Sequence, residues 1–156
     1  MATKTKTLPT AAKAYEAISR EAERIRNDAY ETIETLSEGD TVRQGDLYLV
    51  ALDQEPKALG PFGTNQLTPG TTQGSRHVVQ GQCEVLRVEE REAIAILNRL
   101  VPATRKHDRQ FIGPMIRASG PVTVTHPEHG DRTLPAGSYL TTYQRAFGEE
   151  IRRQAD

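Results

Sequence analysis

Residues 41–52 read TVRQGDLYLVAL, and the second half, LYLVAL, is apolar at nearly every position. A Gly-Asp turn signal at residues 45 and 46 precedes it, so the stretch predicts a buried strand opening the body of the protein. Downstream, residues 53–75 carry prolines 56, 61 and 69 and glycines 60, 63, 70 and 74. That density of breakers predicts a long loop, Glu55 to Gly74 at its heart, and no helix.

Beyond the loop, His77 to Val88 reads as two short strands or one bent at Gly81. Glu89 to Leu100 has acids at its start and Ile94, Leu97 and Leu100 at helical spacing, with Pro102 closing it, which predicts a short helix. QFIGPMIRAS and PVTVTH are strand-like, the second placing Val122 and Val124 on one side. PEHGD and LPAG are turns, SYLTTYQR a further strand, and Gly148 to Gln154 a last short helix.

Upstream of the decisive stretch, Thr10 is placed to cap a helix, and no Gly or Pro interrupts the chain until Gly39. Residues 10–38 therefore predict one long amphipathic helix, helical from about Ala11 to Ser37. Tyr15, Ile18, Ala22, Ile25, Ala29, Ile33 and Leu36 recur at spacings that keep them on one stripe. The stripe is the expected protein interface. Residues 1–9, small, polar and basic, predict a flexible tail, and residues 40–156 a β-rich domain.

The expected fold class is thus α+β: a long N-terminal amphipathic helix followed by a small antiparallel β-barrel or sandwich with short helices.

The chain has 156 residues, 26% of them charged, with a net charge of −1. That balance supplies no field to draw the protein to DNA or to an anionic membrane, so neither nucleic acid nor membrane is an expected partner. Arg99, Arg105, Lys106, Arg109 and Arg117 form a local basic stretch, but only Phe111 interleaves it, short of a stacking platform for single strands. No apolar run of about 20 residues offers a membrane span, and the N-terminus lacks the apolar core of a secretory leader. A cytoplasmic location is expected. Cys83 is the only cysteine, which excludes an internal disulfide and any multi-thiolate zinc site.

His77, His126 and His129 all lie in strand-to-turn contexts, and neutral imidazole is a common metal ligand. With Glu128, or Asp131, as an oxygen ligand they would make a reasonable divalent-metal site. The H-P-E-H turn differs from a helical H-E-x-x-H, however, whose periodicity puts both histidines on one face. Ser75 lacks a nucleophile elbow, and Cys83 sits in an apolar strand pattern. No phosphate-cradling motif is present, and no cofactor is implied beyond that metal.

RQGDLYLV, TTQGSRHVV and THPEHGDRTLPAGSYLTTYQR, in that order, resemble segments of a group of small uncharacterised bacterial and phage proteins with no known activity. The resemblance covers Arg43 to Leu52, Thr71 to Val79 and Ile112 to Asp156, and implies a β-rich fold. The N-terminal helix and the Glu89 to Leu100 helix look like additions to the shared part. In that group the loop exit often reads G-H-x-H, whereas Gly74, Ser75, Arg76 and His77 keep only the second histidine.

Two readings of function follow. The first is a non-enzymatic assembly or adaptor module that pairs with itself or with a larger protein through the N-terminal helix. The second is a small metal-binding barrel or metal-dependent enzyme using His77, His126 and His129. Poor catalytic signals favour the first.

Overall fold

In a computed structural model, described over residues 10–101 and 111–144 with the side chains of 23–28 set aside, one long strand organises the sheet. This strand, β6, runs from Phe111 to Thr125. One of its edges pairs with β5, Val78–Val88. The opposite edge is divided between two partners. Phe111 to Ala118 pair with β8, Gly137–Tyr143, and Val122 to Val124 pair with β7, Arg132–Leu134.

The division falls at Ser119-Gly120-Pro121. Proline has no N–H to give a ladder, so the strand changes neighbour where it stands. On the β5 side only Gln82 opposes these three residues, and the register shifts between Gly81 and Cys83. Gly81 has φ 126°, and a Cβ there would lie 2.7 Å from the carbonyl oxygen of Pro121. Only glycine fits the bend.

Past β8 lie β3, Leu47–Leu52, and β2, Thr41–Gln44; past β7 lies β1, Glu31–Thr32; β4, Ala58–Pro61, edges β5. All pairings are antiparallel except β1 with β7. The result is a single eight-stranded sheet curled into a half-barrel. It replaces the expected small antiparallel barrel or sandwich, because β6 bends and shares its edge instead of handing the chain to a second sheet.

LYLVAL is β3, and all six of its residues are buried. Leu47, Leu49 and Ala51 join Val79, Ile116, Val124 and Tyr139 in the core inside the curl. Val50 and Leu52 join Leu86, Met115, Ala93 and Leu97 on the other face, under helix α2, Glu90–Leu100. Both faces being covered explains why the strand shows no polar alternation. Glu89 caps α2 by accepting from the Glu92 amide at 2.7 Å, and its acidic first turn suits the helix dipole.

The long N-terminal helix is also corrected. The first helix, α1, spans Ala11–Asp28, and the expected continuation to Ser37 is extended chain. Glu31 donates its amide to Asp131, and Ile33 its own to Thr133, both at 2.9 Å. Ile33 and Leu36 pack on the sheet's inner core, and buried Arg132 donates to the carbonyl of Ala29. Tertiary pairing with β7 thus ends the helix where propensity alone would carry it on.

Elsewhere the strands are longer and fewer breaks occur than the sequence suggests. Of the two forms expected for His77 to Val88 the structure has the second, one strand bent at Gly81, whereas QFIGPMIRAS and PVTVTH, expected as separate strands, are one strand, β6. The expected tail at residues 1–9 and the helix Gly148 to Gln154 lie outside the described residues, as do Arg105, Lys106 and Arg109.

Two buried side chains hold the curl closed. Gln44, at the end of β2, donates from Nε2 to the carbonyls of Val124 and Gly130, at 3.0 and 2.9 Å. Arg132, on β7, donates from Nε to the carbonyl of Arg43 at 3.0 Å and from Nη1 to Gly130 at 2.9 Å. Each joins one arm of the sheet to the other through hydrogen bonds to backbone carbonyls.

Candidate functional site

Three connections meet at the closed side of the curl. The β2–β3 turn brings Gln44, Gly45 and Asp46. A short 3-10 turn, Gln73–Ser75, delivers His77 to the start of β5. The β6–β7 turn brings His126, Glu128 and His129. The three histidines of the sequence analysis therefore do come together, as a stack: His77 and His126 have ring centroids 4.3 Å apart, and His126 and His129 4.6 Å.

His77 is wholly buried. Its Nδ1 lies 2.9 Å from Gln44 Oε1, and its Nε2 2.9 Å from Asp46 Oδ1. Because Gln44 spends its amide nitrogen on two carbonyls, Oε1 must be the acceptor and His77 Nδ1 the donor. The other nitrogen faces the half-exposed Asp46 carboxylate.

His126 is fixed as the opposite tautomer. The Glu128 amide donates to its Nδ1 at 3.0 Å, so Nε2 carries the hydrogen, which it gives to the Gly74 carbonyl at 3.2 Å. Burial lowers its pKa from the ordinary 6.5, and the neighbouring His77 and His129 push the same way, against the Gly74 carbonyl and Glu128. Gly45, at φ 59°, lets His129 lie against the turn: a Cβ there would stand 2.6 Å from His129 Nε2.

As chemistry, this is a network of committed groups. Both nitrogens of His77 and of His126 are already engaged in hydrogen bonds. Among the described residues no group of three or more His, Cys, Asp or Glu is arranged to hold a metal ion. Glu128 contributes its backbone amide to the cluster, and its side chain is exposed. Asp131 lends its carbonyl to Glu31.

The other sequence candidates take no part in the cluster's hydrogen bonds. Burial raises the Cys83 pKa, away from thiolate character, and buried Ser75 has its hydroxyl 3.0 Å from that of Thr72. Two members of the basic stretch are paired: Arg99 with Glu38 at 3.1 Å, and Arg117 with Glu55 at 2.6 Å and Glu84 at 3.3 Å. The Arg117 guanidinium, together with the Ser138 hydroxyl, holds the Glu55 carboxyl below its usual range against the opposing cost of burial.

A second feature went unread in the sequence. At the opposite end of β6 from the histidines, a cleft of about 700 Å³ opens between β4, the following loop, α2 and the start of β6. Leu59, Phe62, Leu67, Ile94, Phe111, Ile112 and Tyr143 give it an apolar wall, and Arg87, Glu90 and Asn98 line it with polar groups. Its residues come from five elements, so no local pattern marks it; the one signal was Ile94, on the helical period yet 40% exposed.

The interface stripe is divided by the fold. Tyr15 and Ile18 are 73% and 67% exposed on α1, and Ala22 and Ala29 are exposed too. Ile25 lies among the side chains set aside. Ile33 and Leu36 leave the stripe, since they face the protein's own core.

No curated protein matches the chain, and no solved structure does. The match to a known family covers residues 43–144, which takes in the histidine cluster, the cleft and also α2, so that helix is part of the shared domain and not an addition to it. It leaves α1 and β1 outside. By that match the chain belongs to DUF8820, a family described as a domain of unknown function.

Proposed function

We propose that the protein is a non-enzymatic assembly module that associates with itself or with a larger protein through α1. One observation carries this reading: Tyr15 and Ile18 stand about two-thirds or more exposed on an amphipathic helix, while the half-barrel completes its core without them. Burying such side chains yields about 1.5–3 kcal/mol each, so covering the stripe would favour association. The histidine cluster serves that module as a cross-link. It ties the β2–β3 turn, the entry to β5 and the β6–β7 turn together and keeps the body rigid behind the helix.

Sedimentation velocity of the full chain over a hundredfold concentration range tests the proposal. Association that strengthens with concentration and is lost in Tyr15→Asp/Ile18→Asp, with unchanged far-UV circular dichroism, is the expected result. A strictly monomeric chain that also retains no protein partner on a column from its source cells removes it.

A further inference from the structure

We infer that His126 is an acid-operated latch on the loop 66–76, holding it closed at neutral pH and releasing it when a second proton reaches the ring. The loop runs from the cleft to the histidine stack, so its release is felt at the cleft wall.

Leu67 and Pro69, in the first part of the loop, line the cleft, and the Leu67 amide donates to the carbonyl of His77 at 2.8 Å. The next turns are knitted by the loop's own groups. Gln66 donates from Nε2 to the carbonyls of Thr68 and Gly70, both at 2.8 Å, and the Thr68 hydroxyl donates to the carbonyl of Ser75. Residues 69–74 are all exposed, so burial does little to hold this stretch in place. His126 ties its tip to the body, since Nε2 donates to the Gly74 carbonyl at 3.2 Å.

That tie depends on a neutral ring. Nδ1 of His126 accepts from the Glu128 amide at 3.0 Å, and a proton added at Nδ1 turns the acceptor into a donor facing another donor. The ring then loses its seat in the β6–β7 turn, and the bond to Gly74 goes with it. Its neighbours do little to welcome the charge. His77, at the head of β5, stacks on one face and His129, from the same turn, on the other, with centroids 4.3 and 4.6 Å away. The loop faces the ring with the Gly74 carbonyl, and the Asp46 carboxylate of the β2–β3 turn is engaged by His77. Of the titratable groups acting on His126, Glu128 alone favours the cation, and burial, His77 and His129 oppose it. Release therefore comes below the ordinary imidazole value of 6.5.

Hydrogen exchange of the full chain, followed by mass spectrometry at pH 7 and pH 5 with a chelator present and expressed as protection factors, tests the latch. Segments 66–77 and 126–131 are expected to lose protection by about tenfold or more in acid, with the Leu67 amide reporting on the cleft wall, while β3 and β8 keep theirs. His126→Gln has no group to protonate, and the acid response of the loop is expected to vanish in it. His126→Asn retains an oxygen to accept from the Glu128 amide but is too short to reach Gly74, so its loop is expected to be unprotected at both pH values. It also stands in for His126→Gln should circular dichroism show that variant unfolded.

Three results overturn the inference. One is a wild type whose loop keeps its protection at pH 5 or lacks it already at pH 7. Another is acid loss of protection that is equal over the loop, β3 and β8, which is global unfolding. The third is an acid response that persists in a folded His126 variant, which moves the trigger to another group.

Discussion

Gln44 and His77 are bound to each other in one sense only: the imidazole Nδ1 donates and the amide oxygen accepts, because the amide nitrogen is held by two backbone carbonyls on the far arm of the sheet. The last residue of β2 thereby orients a buried ring and ties the two arms of the curl together at once. Replacing Gln44 by leucine removes the partner of one buried donor and two carbonyls, and a few such losses at about 1–3 kcal/mol each are severe for a domain of this size. Gln44→Leu is expected to lower the unfolding free energy by about 3 kcal/mol or more, read as a shift of the urea midpoint.

His126 predicts an acid-sensitive stability. Its folded pKa lies below the unfolded value near 6.5, through burial first and through His77 and His129 next. The unfolded chain therefore binds the proton more readily. The contribution of neutral His126 is complete above about pH 6.5 and is lost as pH falls through the lower folded value. The melting temperature should fall between pH 7 and pH 5. In His126→Gln it should start lower and fall less over that interval, and an unchanged slope in this variant would assign the acid sensitivity elsewhere.

Gly45 and His129 should be coupled. Gly45→Ala meets the His129 ring and holds an L residue at φ 59°, which together cost about 1–3 kcal/mol. In His129→Ala the steric part vanishes while the backbone part stays. A double-mutant cycle by urea unfolding is expected to show the alanine costing less when the ring is absent, and strict additivity would mean the ring moves aside freely.

Arg132 is nearly fully buried, with Nε and Nη1 donating to carbonyls of three separate segments around Ala29, Arg43 and Gly130 and Nε 3.4 Å from Glu31. Lysine keeps the charge but not the fork. Arg132→Lys should therefore destabilise by about 2–4 kcal/mol. It should also raise amide exchange at Glu31 and Ile33, where β1 meets β7, more than at β3.

The sequence made the interior strands legible and the boundary of α1 illegible, for one physical reason. LYLVAL announces two-sided burial in its own composition, and Glu89 to Leu100 carries both its cap and its period within twelve residues. What ends α1 is Arg132 and the edge of β7, a hundred residues away, against local residues that would tolerate a helix. The split of β6 was half visible, since Gly120-Pro121 marked a break, but a break between strands and a change of neighbour within one strand look the same in one dimension.

The site shows the same contrast. His77, His126 and His129 were picked out together, and they do gather. Their hydrogen-bond commitments depend on Gln44, Gly74 and the Glu128 amide, which no spacing rule joins to them. Without those partners a histidine trio reads as open to metal.

β3 pairs with β8, so residues 47–52 find their main neighbour only at residues 137–143. On the ribosome LYLVAL emerges early, with β2 as its one local companion, and about ninety further residues must be made before its second edge can be covered. At about 5–20 residues per second the strand waits several seconds. A nascent chain thus carries LYLVAL about ninety residues ahead of the strand that shields its second edge, and the strand order sets how long that edge stays open.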